Sequence, residues 1–153
     1  FLDQKRVEET ADLMVEIPDG LISFATEVGD NAGQLSYLSA PIVNGDADLC
    51  GSAYSGQERG DWPDGGPYVN FLIDPAAGLA TPIGQVENDL DRTTVGGTWL
   101  WITWNNTVRV ADAQAFDLNV DGVLNSTTGT VRWSPQAGTD MATVNYVIPI
   151  NGC

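Results

Sequence analysis

Apolar positions recur at three- and four-residue spacing through the opening of the chain. Val7, Thr10, Met14, Ile17, Leu21, Phe24 and Val28 make one stripe, widened by Ala11, Leu13 and Ala25. That period predicts an amphipathic helix with one buried face. Lys5, Arg6, Glu8, Glu9, Asp12, Glu16, Asp19 and Glu27 fall mostly off the stripe, and Gly29-Asp30-Asn31 supplies a stop. Pro18 lies inside the pattern. It removes one helix hydrogen bond, so the helix either kinks there or ends near Ile17 and restarts with Pro18 in its first turn. The stripe crosses Pro18 without changing phase, which favours the kink.

Beyond this helix the periodicity changes. Gln34 to Leu38 fits a short helical turn, and Asn44 to Gly66 is rich in Gly, Asp and Ser, which predicts a long loop. A loop of that length in a compact domain is expected to be functional or tethered, and Cys50 within it points to a tether. From Thr81 onward the chain reads as strands: Trp99 to Trp104, Val108 to Val110, Gln114 to Leu118, Thr130 to Trp133 and Ala142 to Ile148. Helix first and adjacent strands later predicts an α+β fold, a long N-terminal α-helix packed on an antiparallel β-sheet. One domain is expected over 1–153, with the helix at 1–29, a variable loop region at 30–80, and the sheet and C-terminal tail at 81–153.

Composition narrows the function classes. The net charge is −15, from 21 acidic and 6 basic residues. That sign repels phosphate backbones and anionic lipid, which argues against nucleic-acid binding. It fits either a highly soluble surface or acidic loops that gather cations. No apolar run approaches the roughly eighteen residues of a membrane helix, and no signal-peptide pattern opens the chain. Phe1 in place of Met is what a processed or trimmed chain is expected to show.

Candidate chemistry is sparse. With no histidine, His-based triads are excluded, and no nucleophile-elbow or phosphate-loop pattern occurs, so no enzyme is expected. Two cysteines without a CxxC pair argue against zinc. Cys153 is either a free terminal thiol or the partner of Cys50. A Cys50–Cys153 disulfide would close a loop of about 100 residues, worth roughly 2–4 kcal/mol, and implies an oxidising compartment.

Asp117, Asn119 and Asp121, followed by Gly122, match the opening of a calcium loop, with the Val123 carbonyl and Asn125 completing an arc of oxygens. Position twelve is Thr128, where such loops carry a bidentate Glu. The competing expectation is a β-hairpin whose turn is Asp121-Gly122. Apart from calcium there, no cofactor is expected. Asp46 and Asp48 form a second, weaker acidic group. Trp99 and Trp101 share one strand face, which serves either a core or a sugar-stacking platform. Asn105-Asn106-Thr107 and Asn125-Ser126-Thr127 fit the N-glycosylation sequon; two are expected by chance, and no role is assigned to them.

Several segments resemble type IV pilins and type II secretion pseudopilins. Phe1 to Arg6, FLDQKR, resembles the point where the pilin helix passes from its membrane half to its amphipathic half. Trp62 to Tyr68, WPDGGPY, resembles the GPY stretch of pseudopilins. Phe116 to Trp133, FDLNVDGVLNSTTGTVRW, resembles their Asp-Gly turn and Gly-x-Val-Arg-Trp strand. Val144 to Ile150 resembles their last strand, and Cys153 their C-terminal disulfide cysteine.

The resemblance implies a non-catalytic structural subunit, outside the cytoplasm, in a bacterial surface filament or a periplasmic pseudopilus. Its partners would be other pilin or pseudopilin subunits, with roles in adhesion or protein secretion. A membrane would be met only through an N-terminal segment that lies outside this chain. Val7, Met14, Ile17 and Leu21 are then expected to pack on neighbouring subunits, with the later part of the stripe on the sheet.

Overall fold

A computed structural model describes residues 2–93 and 99–150. Helix α1 runs unbroken from Leu2 to Val28 and carries Pro18 inside it, so the alternative of an end near Ile17 does not hold. At 1.5 Å per residue it is about 40 Å long. Every member of the apolar stripe is buried, from Val7 to Val28. The one polar member, Thr10, satisfies its hydroxyl by donating to the Arg6 carbonyl at 2.8 Å. Gly29 closes the helix, its N–H bonded to the Ala25 carbonyl.

A 3-10 turn at Leu35–Leu38 follows, as the sequence suggests. The expected long loop contains a helix, α2, at Gly56–Gly65. Its start is a capping box. Ser55 accepts from the Glu58 N–H at 3.1 Å, and Glu58 accepts from the Ser55 N–H at 2.8 Å. This Ser-x-x-Glu signal was legible in the sequence. Aromatic side chains fasten the region to α1: Phe24 meets Tyr54 and Tyr68 edge-on at 6.0 and 5.5 Å, and Trp62 meets Tyr68 at 5.5 Å. Buried Trp62 donates from Nε1 to the Tyr37 carbonyl at 2.6 Å. Gly20 makes the closest approach possible. A Cβ there would sit 2.8 Å from the Tyr68 carbonyl oxygen.

The strands are β1 Leu79–Thr81, β2 Gly84–Val86, β3 Asp91–Thr93, β4 Trp99–Arg109, β5 Val131–Pro135 and β6 Met141–Pro149. β1 and β2 form a small ribbon. The main sheet has the order β3-β4-β6-β5, antiparallel throughout. The architecture is therefore mixed α+β, a long N-terminal helix with antiparallel sheets.

Two strand expectations are corrected. Val108 to Val110 is no separate strand, because β4 continues to Arg109 across an irregularity between Trp104 and Val108. Gln114 to Leu118 lies in a helix, α3, spanning Val110–Asp121. The reason is topological. β4 and β5 both pair antiparallel with β6, so they are parallel to each other. A parallel connection has to cross the sheet, and a helix is the usual means. α3 buries Asp112, Ala113, Phe116 and Asp117, a helical spacing. Phe116 packs on Trp104 at 5.5 Å, on the inner face of the sheet. Arg6 of α1 meets Asp112 of α3 at 3.4 Å.

Candidate functional site

The acidic segment Asp117–Asp121 forms the last turn of α3. On a helix Asp117 and Asp121 are one turn apart on one face, whereas Asn119 points about 200° away from Asp117. The oxygens expected to converge as a calcium arc therefore diverge. Both aspartates have other partners. Asp117 is fully buried; its Oδ2 accepts from Trp133 Nε1 at 3.1 Å and from the Asn125 N–H at 3.0 Å. Asp121 accepts from the Thr130 N–H at 3.0 Å and from the Val131 N–H at 2.9 Å. Val123 is an exposed residue past the helix end. Asn125 turns its Oδ1 to Thr127. Among the described residues, no group of three or more His, Cys, Asp or Glu is arranged to hold a metal.

The residues do not fit an EF-hand-type calcium loop. The hairpin alternative is corrected too, because Gly122, at φ 72°, is the left-handed cap of α3, with its N–H bonded to the Leu118 carbonyl. What the two aspartates do is fasten α3 to the 125–133 segment. One atom stands out. Asp117 Oδ1 is buried with no hydrogen-bond partner. Burial first, and then the neighbouring Asp121 carboxylate, hold the Asp117 carboxyl above the ordinary range, against the opposite pull of the Trp133 and Asn125 bonds.

Asp46 and Asp48 close turns. Asp46 accepts from the Val43 N–H at 2.8 Å, and Asp48 from the Cys50 and Ser52 N–H groups at 2.9 and 3.0 Å. Cys50 is half-buried in this turn. Its proposed partner, Cys153, lies outside the described residues.

Trp99 and Trp101 lie on the outer face of the sheet, opposite α3, and are half-buried. The Arg132 guanidinium sits 5.7 Å from the centre of the Trp99 ring. Trp101 Nε1 is buried and unpartnered. Thr103 and Asn145 bond to each other at 2.8 Å on the same face.

The four side chains expected to meet neighbouring subunits are instead core. Val7, Met14, Ile17 and Leu21 are 2, 0, 0 and 5% exposed within the single chain. The α1 surface that remains carries acidic residues together with Val15 and Ile22, which are 61 and 60% exposed. Sequence reasoning passed over both, since they stand off the main stripe. Ile22 also borders an open groove of about 610 Å³ between the end of α1 and the sheet, lined by Leu21, Ala25, Leu100, Ile148 and Pro149. Compared with protein-family models, with curated proteins and with solved structures, the chain has no match.

Proposed function

We propose that this chain is the head domain of a structural, non-catalytic subunit of a type IV pilus-like surface filament, exposed outside the cytoplasm. The observation that carries the reading is the unbroken 27-residue α1, buried along one stripe against the rest of the chain and exposed along the other face. A helix of about 40 Å at the start of the chain suits a shaft that continues into a filament core. Shape and surface contacts suffice for that role, which asks for no reactive group. The contacts with neighbouring subunits are assigned to Val15 and Ile22 and the groove beside them, in place of the buried stripe. A type II secretion pseudopilus is the alternative assembly of the same kind.

Immunogold labelling of filaments sheared from the source cells tests this directly. The expected result is label along the filaments; intact filaments without label would end the reading. Loss of surface filaments, against loss of protein export, after deletion of the gene separates pilus from pseudopilus. Ile22→Asp should abolish assembly while leaving the melting temperature of the isolated head within about 2 °C, since exposed substitutions change stability little.

A second reading has its own observation. The outer sheet face places Trp99, Trp101 and Arg132 together, an aromatic and cationic platform of the kind that stacks on sugar rings. It would make the chain a secreted carbohydrate-binding module. Glycan-array binding that disappears in Trp101→Ala would favour it; an array without signal would dismiss it.

A further inference from the structure

The two Asn-x-Thr sequons are the motif that the filament reading leaves unused, and the fold treats them differently. Asn105 sits in the irregular stretch of β4. Its Oδ1 accepts from Asn106 Nδ2 at 3.4 Å and from the Thr143 hydroxyl at 3.3 Å. The hydroxyl of its own sequon faces elsewhere. Thr107 donates to the Gln85 carbonyl at 2.8 Å and accepts from the Gln85 N–H at 3.1 Å.

Asn125 is exposed, in the connection between α3 and β5. Its Oδ1 accepts both the N–H and the hydroxyl of Thr127, at 3.1 and 3.0 Å. The connection is held at both sides, by the Asn125 N–H on Asp117 and by the Trp133 N–H on the Ser126 carbonyl. Leu118, Val123 and Leu124, 54, 66 and 52% exposed, precede it closely in sequence.

These differences bear on reactivity. A carboxamide nitrogen is a poor nucleophile because its lone pair is delocalised into the carbonyl. Two donors on Oδ1 stabilise the imidate that forms as Nδ2 gives up a proton, which is the form that attacks. Asn105 Oδ1 also faces two donors, but they are the long contacts of a neighbouring amide and of a Thr143 hydroxyl that lies closer, at 3.0 Å, to Asn106 Oδ1; only at Asn125 are both donors those of its own sequon threonine. Exposed Val123 and Leu124, directly before Asn125 in the chain, add apolar surface for the faces of a first sugar.

We propose that Asn125, and not Asn105, is the acceptor for an asparagine-linked glycan on the folded chain. The co-reactant is a glycosyl donor with a polyprenyl pyrophosphate leaving group, presented by a transferase. Asn125 Nδ2 forms a bond to the anomeric carbon. The bond from that carbon to the pyrophosphate oxygen breaks, and its electron pair leaves with the pyrophosphate. The Nδ2 proton passes to a base of the transferase. This assignment does not depend on the filament reading.

The test is transfer in vitro to the folded chain, with a purified oligosaccharyltransferase that needs only Asn-x-Ser/Thr and a lipid-linked oligosaccharide donor, read by intact mass and peptide mapping. One glycan on Asn125 is expected. Asn125→Gln should remove it, Thr127→Ala should reduce transfer at least tenfold, and Thr127→Ser should retain it. A peptide covering 102–110 should be a better acceptor than Asn105 in the fold. Glycan on Asn105 of the folded chain, or a folded chain left unmodified at Asn125, would overturn the assignment.

Discussion

Asp117 is a carboxylic acid placed where water does not reach it, with Trp133 and Asn125 on one oxygen and no partner on the other. Its carboxyl is held above the ordinary range by burial and by Asp121. The sign follows from linkage. A carboxyl raised in the folded state contributes stability that is fully present below its unfolded pKa, near 3.9, and is lost as pH rises through the folded value. Asp117→Asn keeps an acceptor for Trp133 and cannot ionise. The variant should melt higher than the parent at pH 7.5, with the gap closing toward pH 4; parallel melting curves across that range would refute the argument. Asp30 is pushed up to about 6, first by its side-chain hydrogen bond with Glu58 and then by burial. A carboxyl NMR titration should place it there, and Glu58→Gln should lower it. The Asp-x-Asn-x-Asp-Gly spacing was visible in the sequence, but the partners that give these oxygens their role, Thr130, Val131 and Trp133, come from the following strand and its approach.

At the scale of elements, caps decide where helices begin and end. Ser55→Ala removes one side of the α2 capping box and should cost about 1 kcal/mol by urea unfolding. Gly122 closes α3 at φ 72°, and a Cβ there would meet nothing within 4 Å. Gly122→Ala should therefore lose only the left-handed penalty, about 1 kcal/mol, with no change in the crystal structure around it. Gly20→Val is the contrasting case, because its Cβ would collide with backbone at Tyr68. That variant should release the 66–69 segment from α1 and expose its amides to hydrogen exchange; full protection would show that the contact is adjustable. α1 was legible because its stripe repeats over seven positions. α3 was not, because its segment is short and its alternating Phe116 and Leu118 also suit a strand. The three alanines at 111, 113 and 115 were the available helix signal.

For the whole molecule, the core is continuous from α1 through the inner sheet face to α3, with Trp104 and Phe116 at its centre. Phe116→Ala should cost about 3–5 kcal/mol, a large share of the 5–15 kcal/mol typical of a domain, and should lower the unfolding midpoint in one cooperative step. The proposed Cys50–Cys153 bridge acts at the same scale, since it would close most of the C-terminal two thirds into one loop. Mass spectrometry under non-reducing conditions should find no alkylatable thiol, and reduction should lower stability by roughly 2–4 kcal/mol. Two free thiols would remove both the bridge and the argument for an oxidising compartment.

The residue order alone determined the N-terminal helix, the short turn after it, the Trp99–Trp104 part of β4 and the α+β class, because each is a local pattern that survives in any packing. Tertiary structure decided between strand and helix at Gln114–Leu118, since the parallel relation of β4 and β5 calls for a crossover there and the alanine signal by itself was weak. It also decided that Val7, Met14, Ile17 and Leu21 serve this chain's own core. A stripe records that a face must be covered; what covers it depends on where the rest of the chain arrives.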